Sequence, residues 1–116
     1  MPYVDGFVIP MKKKSIPAYR RIAKAAGKIW KEHGALDYVE TAGDDIAPKG
    51  PFRTMTKAKA DETVVFSWIV YKSKAHRNRV NARVLKDPRI DAMRERPMPF
   101  DVKRMAYGGF KTLVDL

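Results

Sequence analysis

Residues 62–71, ETVVFSWIVY, read as a β-strand that is apolar on both faces. Val64, Phe66, Trp68 and Val70 line one face; Val65, Ile69 and Tyr71 line the other, with Ser67 between them. Such a strand has to be covered twice, once on each side of its sheet. Two long helical segments are on hand to do this. The first is expected to start at Ser15 as N-cap, with Pro17 in its first turn. Ile16, Tyr19, Ile22, Ala23, Ala26, Ile29, Trp30 and His33 recur there at helical spacing, and Gly34 supplies the stop. The second is capped by Ser73 and runs to about Lys86. A short helical turn follows from Asp87–Pro88 through Glu95, ended by Pro97 and Pro99.

Three further strands complete the pattern: YVDGFVIP at 3–10, ALDYVETA at 35–42, and residues 103–114. The last is interrupted by Gly108–Gly109, which marks a bulge or a close backbone approach. Residues 43–60 hold Gly43, Pro48, Gly50 and Pro51 and read as a long loop. The order β-α-β-loop-β-α-(short α)-β defines an α+β class. Its two βαβ halves predict a ferredoxin-like sheet with both long helices on one side. At 116 residues, one domain spanning 1–116 is expected. Helices on one side leave the other face of the sheet bare. That face is expected to pack against a second copy, two sheets meeting across a two-fold axis.

Cysteine is absent and there are two histidines, His33 and His76. Disulfides, thiolate-held zinc, iron–sulfur clusters, thiol catalysis and a three-imidazole metal site within one chain are thereby excluded. The acids Asp44–Asp45 and Asp61–Glu62 lack calcium or magnesium spacing, so no metal is expected. No phosphate loop, GxSxG or HExxH occurs. Residues 1–14 do not form a signal peptide, and the apolar run 64–71 is far below the ~20 residues that span a bilayer. A cytoplasmic protein without membrane association is the expectation.

The net charge of +11 is concentrated in residues 12–34, where eight Lys and Arg face Glu32 alone. A solvated helix face explains this, and a nucleic-acid surface is the alternative. Without stacked aromatics such binding is expected to be weak, non-specific and salt-sensitive. The segment YGGFKTLV at 107–114 does not match the aromatic signature of RNA-binding sheets, which belongs on a third strand.

YVDGF at 3–7, HGALDYVE at 33–40, DETVVFSWIVY at 61–71, DPR at 87–89 and MPFDVKRMAYGGF at 98–110 resemble the YbaA-like family. These are small bacterial proteins of unknown function in the dimeric α/β-barrel superfamily. The resemblance covers essentially the whole chain. Val102 stands where a Gly is expected, and Lys12–Lys14 are more basic than the family pattern. The resemblance implies a homodimeric barrel and brings no established activity. Any catalysis it implies is monooxygenase- or isomerase-like, because the superfamily includes cofactor-independent monooxygenases and haem-degrading enzymes. The haem enzymes use an Asn, a Trp and a helical His. Here Asp5 occupies the first-strand position and His76 does not align, so haem is set aside and no cofactor is expected.

Candidate ligand contacts come from the second long helix. At about 100° per residue, with His76 at the origin, Val80 lies near 40°, Val84 near 80° and Leu85 near 180°. A buried stripe centred between these limits puts Arg77 and Asn81 against the sheet and His76 at its margin. Polar groups there need partners. They orient an anionic or carbonyl-containing ligand, or Arg77 pairs with an acid such as Asp5 and Asn81 bonds the backbone. Tyr3, Trp68 and Tyr107 are candidate walls of the same cavity. His33, beside Gly34, is placed as a structural helix-end histidine.

Overall fold

The structure, a computed structural model, describes residues 1–116. Four strands, β1 (Tyr3–Lys12), β2 (Asp37–Ala42), β3 (Glu62–Tyr71) and β4 (Ala106–Lys111), form one sheet in the order β2-β3-β1-β4. Every neighbouring pair is antiparallel. The helices are α1 (Ile16–Glu32), α2 (Pro51–Thr56), α3 (Lys74–Leu85) and α4 (Pro88–Arg94). No helix is long and apolar enough to cross a membrane.

Alternation along the strands sorts the side chains. Phe7, Ile9, Met11, Val65, Ile69 and Tyr71 pack against Tyr19, Ala23 and Ile29 of α1 and Val80 and Val84 of α3. Tyr71, Val80 and Val84 have no solvent exposure. Burying such side chains contributes about 1.5–3 kcal/mol each, and this layer holds the helices on the sheet. On the opposite face Trp68 stands between Val39 and Gly6, and Gly6 faces Gly108. This glycine row opens a trough of about 680 Å³ bordered by Val4, Val8, Phe66, Trp68 and Phe110. Phe66 and Phe110 are 45% and 61% exposed, so the trough is a solvent-facing apolar surface.

Several local expectations are corrected. Ser15 holds the N-cap position of α1 but ends a 3-10 turn, Lys13–Ser15, and its side chain makes no capping bond. Residues 43–60 are not wholly loop, because Pro51 opens α2 from the extended Gly50. Phe52 of α2 meets Phe66 edge-on at 6.4 Å, so this segment roofs one end of the second sheet face. The last strand is shorter than expected, because Val102–Arg104 is a 3-10 turn capped by Asp101. Ser73 caps as read, accepting from the amide of His76, and Asp87, expected to start the short helical turn, does so as its cap, accepting from the amide of Arg89.

The Val102–Arg104 turn is tied to the sheet by Arg104, which donates to both Glu62 carboxylate oxygens at 2.7 and 2.9 Å. The amide of Lys59 donates to the same carboxylate. The Arg104 bond is the main reason the Glu62 carboxyl is held at about 2, against an ordinary 4.5, with burial opposing. A depressed carboxyl stabilises the fold above its unfolded value and loses that contribution as pH falls. The urea midpoint is therefore expected to drop between about pH 4.5 and 2. Glu62→Gln should be less stable at pH 7 and have a flatter profile over that window. An unchanged acid slope in the variant would show that this pair does not set it.

Candidate functional site

The residues singled out on the second long helix, now α3, do not share one location. The buried residues of α3 are His76, Val80 and Val84, while Leu85 is 52% exposed. The buried stripe is thus centred nearer 40° than 100°, because Leu85 turns to solvent. His76 belongs to this stripe, whereas Arg77 and Asn81 lie on its flank and reach back over β1.

His76 is held within the helix start. Its Nδ1 accepts from the Lys72 amide at 3.0 Å, its ring stands edge-on to Tyr71, and Gly34 lies beside Nε2. Burial, with help from Lys72, Arg79 and Arg83, pushes its pKa below the ordinary 6.5. A neutral imidazole accepting through Nδ1 carries its proton on Nε2. It faces Gly34 rather than the sheet cavity, so its role here is to lock the α3 start.

Arg77, Asn81, Asp5 and Tyr107 do meet. With Trp30, Ile69 and the Gly108–Gly109 backbone they enclose a cavity of about 230 Å³ under α3. Arg77 Nε lies 3.5 Å from Asp5 Oδ1, and Nη2 donates to Tyr3 Oη at 3.1 Å. The guanidinium also sits 5.1 Å from the Tyr3 ring centroid. Burial raises the Asp5 carboxyl above its usual value, and the Arg77 charge pulls it back. Asn81 is a structural hub: its Oδ1 accepts from Trp30 Nε1 at 3.2 Å and Tyr71 Oη at 3.1 Å. The pairing of Arg77 with Asp5 anticipated above is present, while Asn81 bonds side chains rather than backbone.

One polar group in this cluster has no hydrogen-bond partner. Arg77 Nε is buried and makes no hydrogen bond, since the Asp5 contact is an ion pair without hydrogen-bond geometry. Gly109 makes the arrangement feasible. A Cβ there would lie 2.3 Å from Tyr3 Oη and 2.8 Å from Arg77 Nη2. The close-approach reading of the glycine pair holds at this position, whereas a Cβ on Gly108 meets nothing nearer than 3.8 Å.

Trp68 lies on the other side of the sheet and cannot share a cavity with Arg77. Tyr107 sits on the edge strand, 73% exposed, stacked on Phe7 at 6.1 Å. His33 Nε2 donates to Asp87 Oδ2 at 2.8 Å, joining the end of α1 to the cap of α4. No group of three or more His, Cys, Asp or Glu is placed to hold a metal ion.

A second constellation escaped the sequence reading. Glu40 on β2 accepts from Tyr19 Oη at 2.7 Å and from Tyr38 Oη at 3.0 Å. Both phenols have pKa values raised well above ordinary, chiefly by burial and then by Glu40. The alternation of DYVETA places Tyr38 and Glu40 on one face, which was the available signal.

A four-stranded antiparallel sheet carrying its long helices on one face defines an α+β architecture seen in NIPSNAP-like proteins. An uncharacterised NIPSNAP domain protein from Burkholderia xenovorans superposes with a TM-score of 0.61 at 15% identity, over 95% of this chain and 93% of that one. A NIPSNAP family protein of unknown function from Agrobacterium tumefaciens gives 0.59 at 21% identity, over 96% and 87%. These likenesses concern the fold. The family described as protein of unknown function (DUF1428) matches residues 2–102, and the chain belongs to that family. It is similar along its length to the uncharacterised protein YbaA of Escherichia coli strain K12, 46% identical over 118 aligned positions and 99% of each chain. The Shigella flexneri protein of the same name matches equally. The family resemblance read from the sequence is therefore met.

Proposed function

We propose that this chain acts as a cytoplasmic homodimer of ferredoxin-like subunits, forming a dimeric α/β barrel, that binds a small anionic or carbonyl-containing molecule beneath α3. The strand order and the one-sided placement of α1 and α3 support the ferredoxin-like reading. The exposed apolar trough supports a second copy as its cover, since a stable interface needs about 800 Å² per partner. The binding reading is carried by Arg77 Nε, which makes no hydrogen bond. The 3.5 Å Asp5 contact leaves its hydrogen-bonding capacity unmet, and a carbonyl or carboxylate oxygen that displaces this contact within the cavity satisfies it. Asp5 on the same wall favours a neutral carbonyl or a single negative charge over a dianion.

The test is a thermal-shift titration with pyruvate and acetoacetate. Arg77→Met alone strands the Asp5 carboxylate, so the informative variant is Asp5→Asn with Arg77→Met, which removes both charges together. The double variant is expected to melt within a few degrees of wild type and to lose the ligand-induced shift. A large fall in melting temperature with the response to pyruvate and acetoacetate unchanged would refute the site.

A further inference from the structure

A cleft of about 750 Å³ lies between α1 and β2, and it is distinct from the cavity under α3. Arg20, Lys24, Lys28 and Lys31 follow one another along a single stripe of α1 and line its mouth. None of them pairs with a carboxylate. Glu32, the one acid near that stripe on α1, is instead held by Arg89 at 2.6 Å. The floor is built by the adjacent stripe of small residues. Gly27 lets the Tyr38 ring lie on the helix backbone, where a Cβ would come within 2.6 Å of it, and Ala23 and Val65 continue the apolar lining.

Within this apolar floor stands the Glu40 carboxylate. It is gripped by two neutral phenols and has no cation within ion-pair distance. An ionised carboxylate has about four acceptor positions, and the two phenols use two of them. A recessed acceptor at one end, unpaired cations at the other and an apolar wall between them make a polarised site. We infer that the α1/β2 cleft binds an amphipathic small anion, its carboxylate or phosphate among Arg20, Lys24 and Lys28 and a hydroxyl donating to Glu40.

The probe is 6-hydroxy-2-naphthoate, with 2-naphthoate lacking the hydroxyl and 2-naphthol lacking the carboxylate. Binding is followed by amide chemical shifts of the labelled full chain at low salt. Shifts that saturate and map to residues 20–31 and 38–42 are expected, with 6-hydroxy-2-naphthoate the tightest of the three. Lys24→Ala with Lys28→Ala, both on the exposed helix face, should weaken it about tenfold or more, roughly 1.4 kcal/mol, without moving the melting temperature. Glu40→Gln should weaken 6-hydroxy-2-naphthoate while leaving 2-naphthoate unchanged, a discrimination that simple loss of stability does not produce. The inference is overturned if the shifts map to the open sheet face, or if neither variant changes affinity. It is equally overturned if a single-stranded oligonucleotide perturbs the same amides more tightly and loses this in salt, which would make the stripe a nucleic-acid surface.

Discussion

With Trp68 replaced by aspartate, the chain is expected to remain folded and to scatter light as a 13.2 kDa monomer, whereas wild type at micromolar concentration is expected to give twice that mass. Trp68 lies on the open face, with Gly6 and Val39 beside it in register and the Phe66 ring 5.6 Å away. In a monomer an aspartate there is hydrated and costs little beyond the lost aromatic contact. In a face-to-face dimer it is an unpaired buried charge repeated across the two-fold axis. Each copy is worth several kcal/mol, enough to raise the dimer dissociation constant by about a thousandfold or more. Ile69→Asp supplies the contrast: one residue along, on the helix-covered face and 4% exposed, it is expected to unfold the chain. Phe110→Lys, on the edge strand and 61% exposed, asks the same question without touching the central strand. A Trp68→Asp or Phe110→Lys protein that stays dimeric would place the interface elsewhere.

The second large effect is expected at Asn81. Its side-chain oxygen is the shared acceptor for the Trp30 indole N–H and the Tyr71 hydroxyl, and Tyr71 is entirely without solvent exposure. Asn81→Leu keeps the volume and strands both donors, so a loss of about 2–5 kcal/mol is expected, read as a lower urea midpoint at unchanged slope. Tyr71→Phe on top of it removes one of the two stranded groups. The double variant should therefore lose clearly less than the sum of the singles. Strict additivity would show that the Tyr71–Asn81 bond contributes nothing. This variant also separates scaffold from site, because Asn81 lines the cavity under α3 while its side-chain oxygen holds Trp30 and Tyr71.

The α+β class, the two long helices and the four strands follow from periodicity, because alternation and helical spacing are properties of a segment by itself. The doubly apolar 62–71 strand already implied a second cover for the sheet. The Ser73 cap and the helical start at Asp87–Pro88 were legible for the same local reason. Three things were not. The facing of α3 depended on whether Leu85 is buried, and a helical wheel cannot know which apolar residue its neighbours leave uncovered. Trp68 and Arg77 were grouped because both suit a cavity, but the parity of β3 against β1 puts them on opposite sides of the sheet. The Glu40–Tyr19 bond joins residues 21 apart, and the Arg77–Tyr3 bond residues 74 apart. Their chemistry exists only once the strands are in register. Local sequence determines which segments are helix and strand and how much apolar surface must be hidden. The one-residue parity of the strand pairing and the Arg77 donor left without a hydrogen bond arise from contacts between distant segments, so the tertiary structure alone decided them.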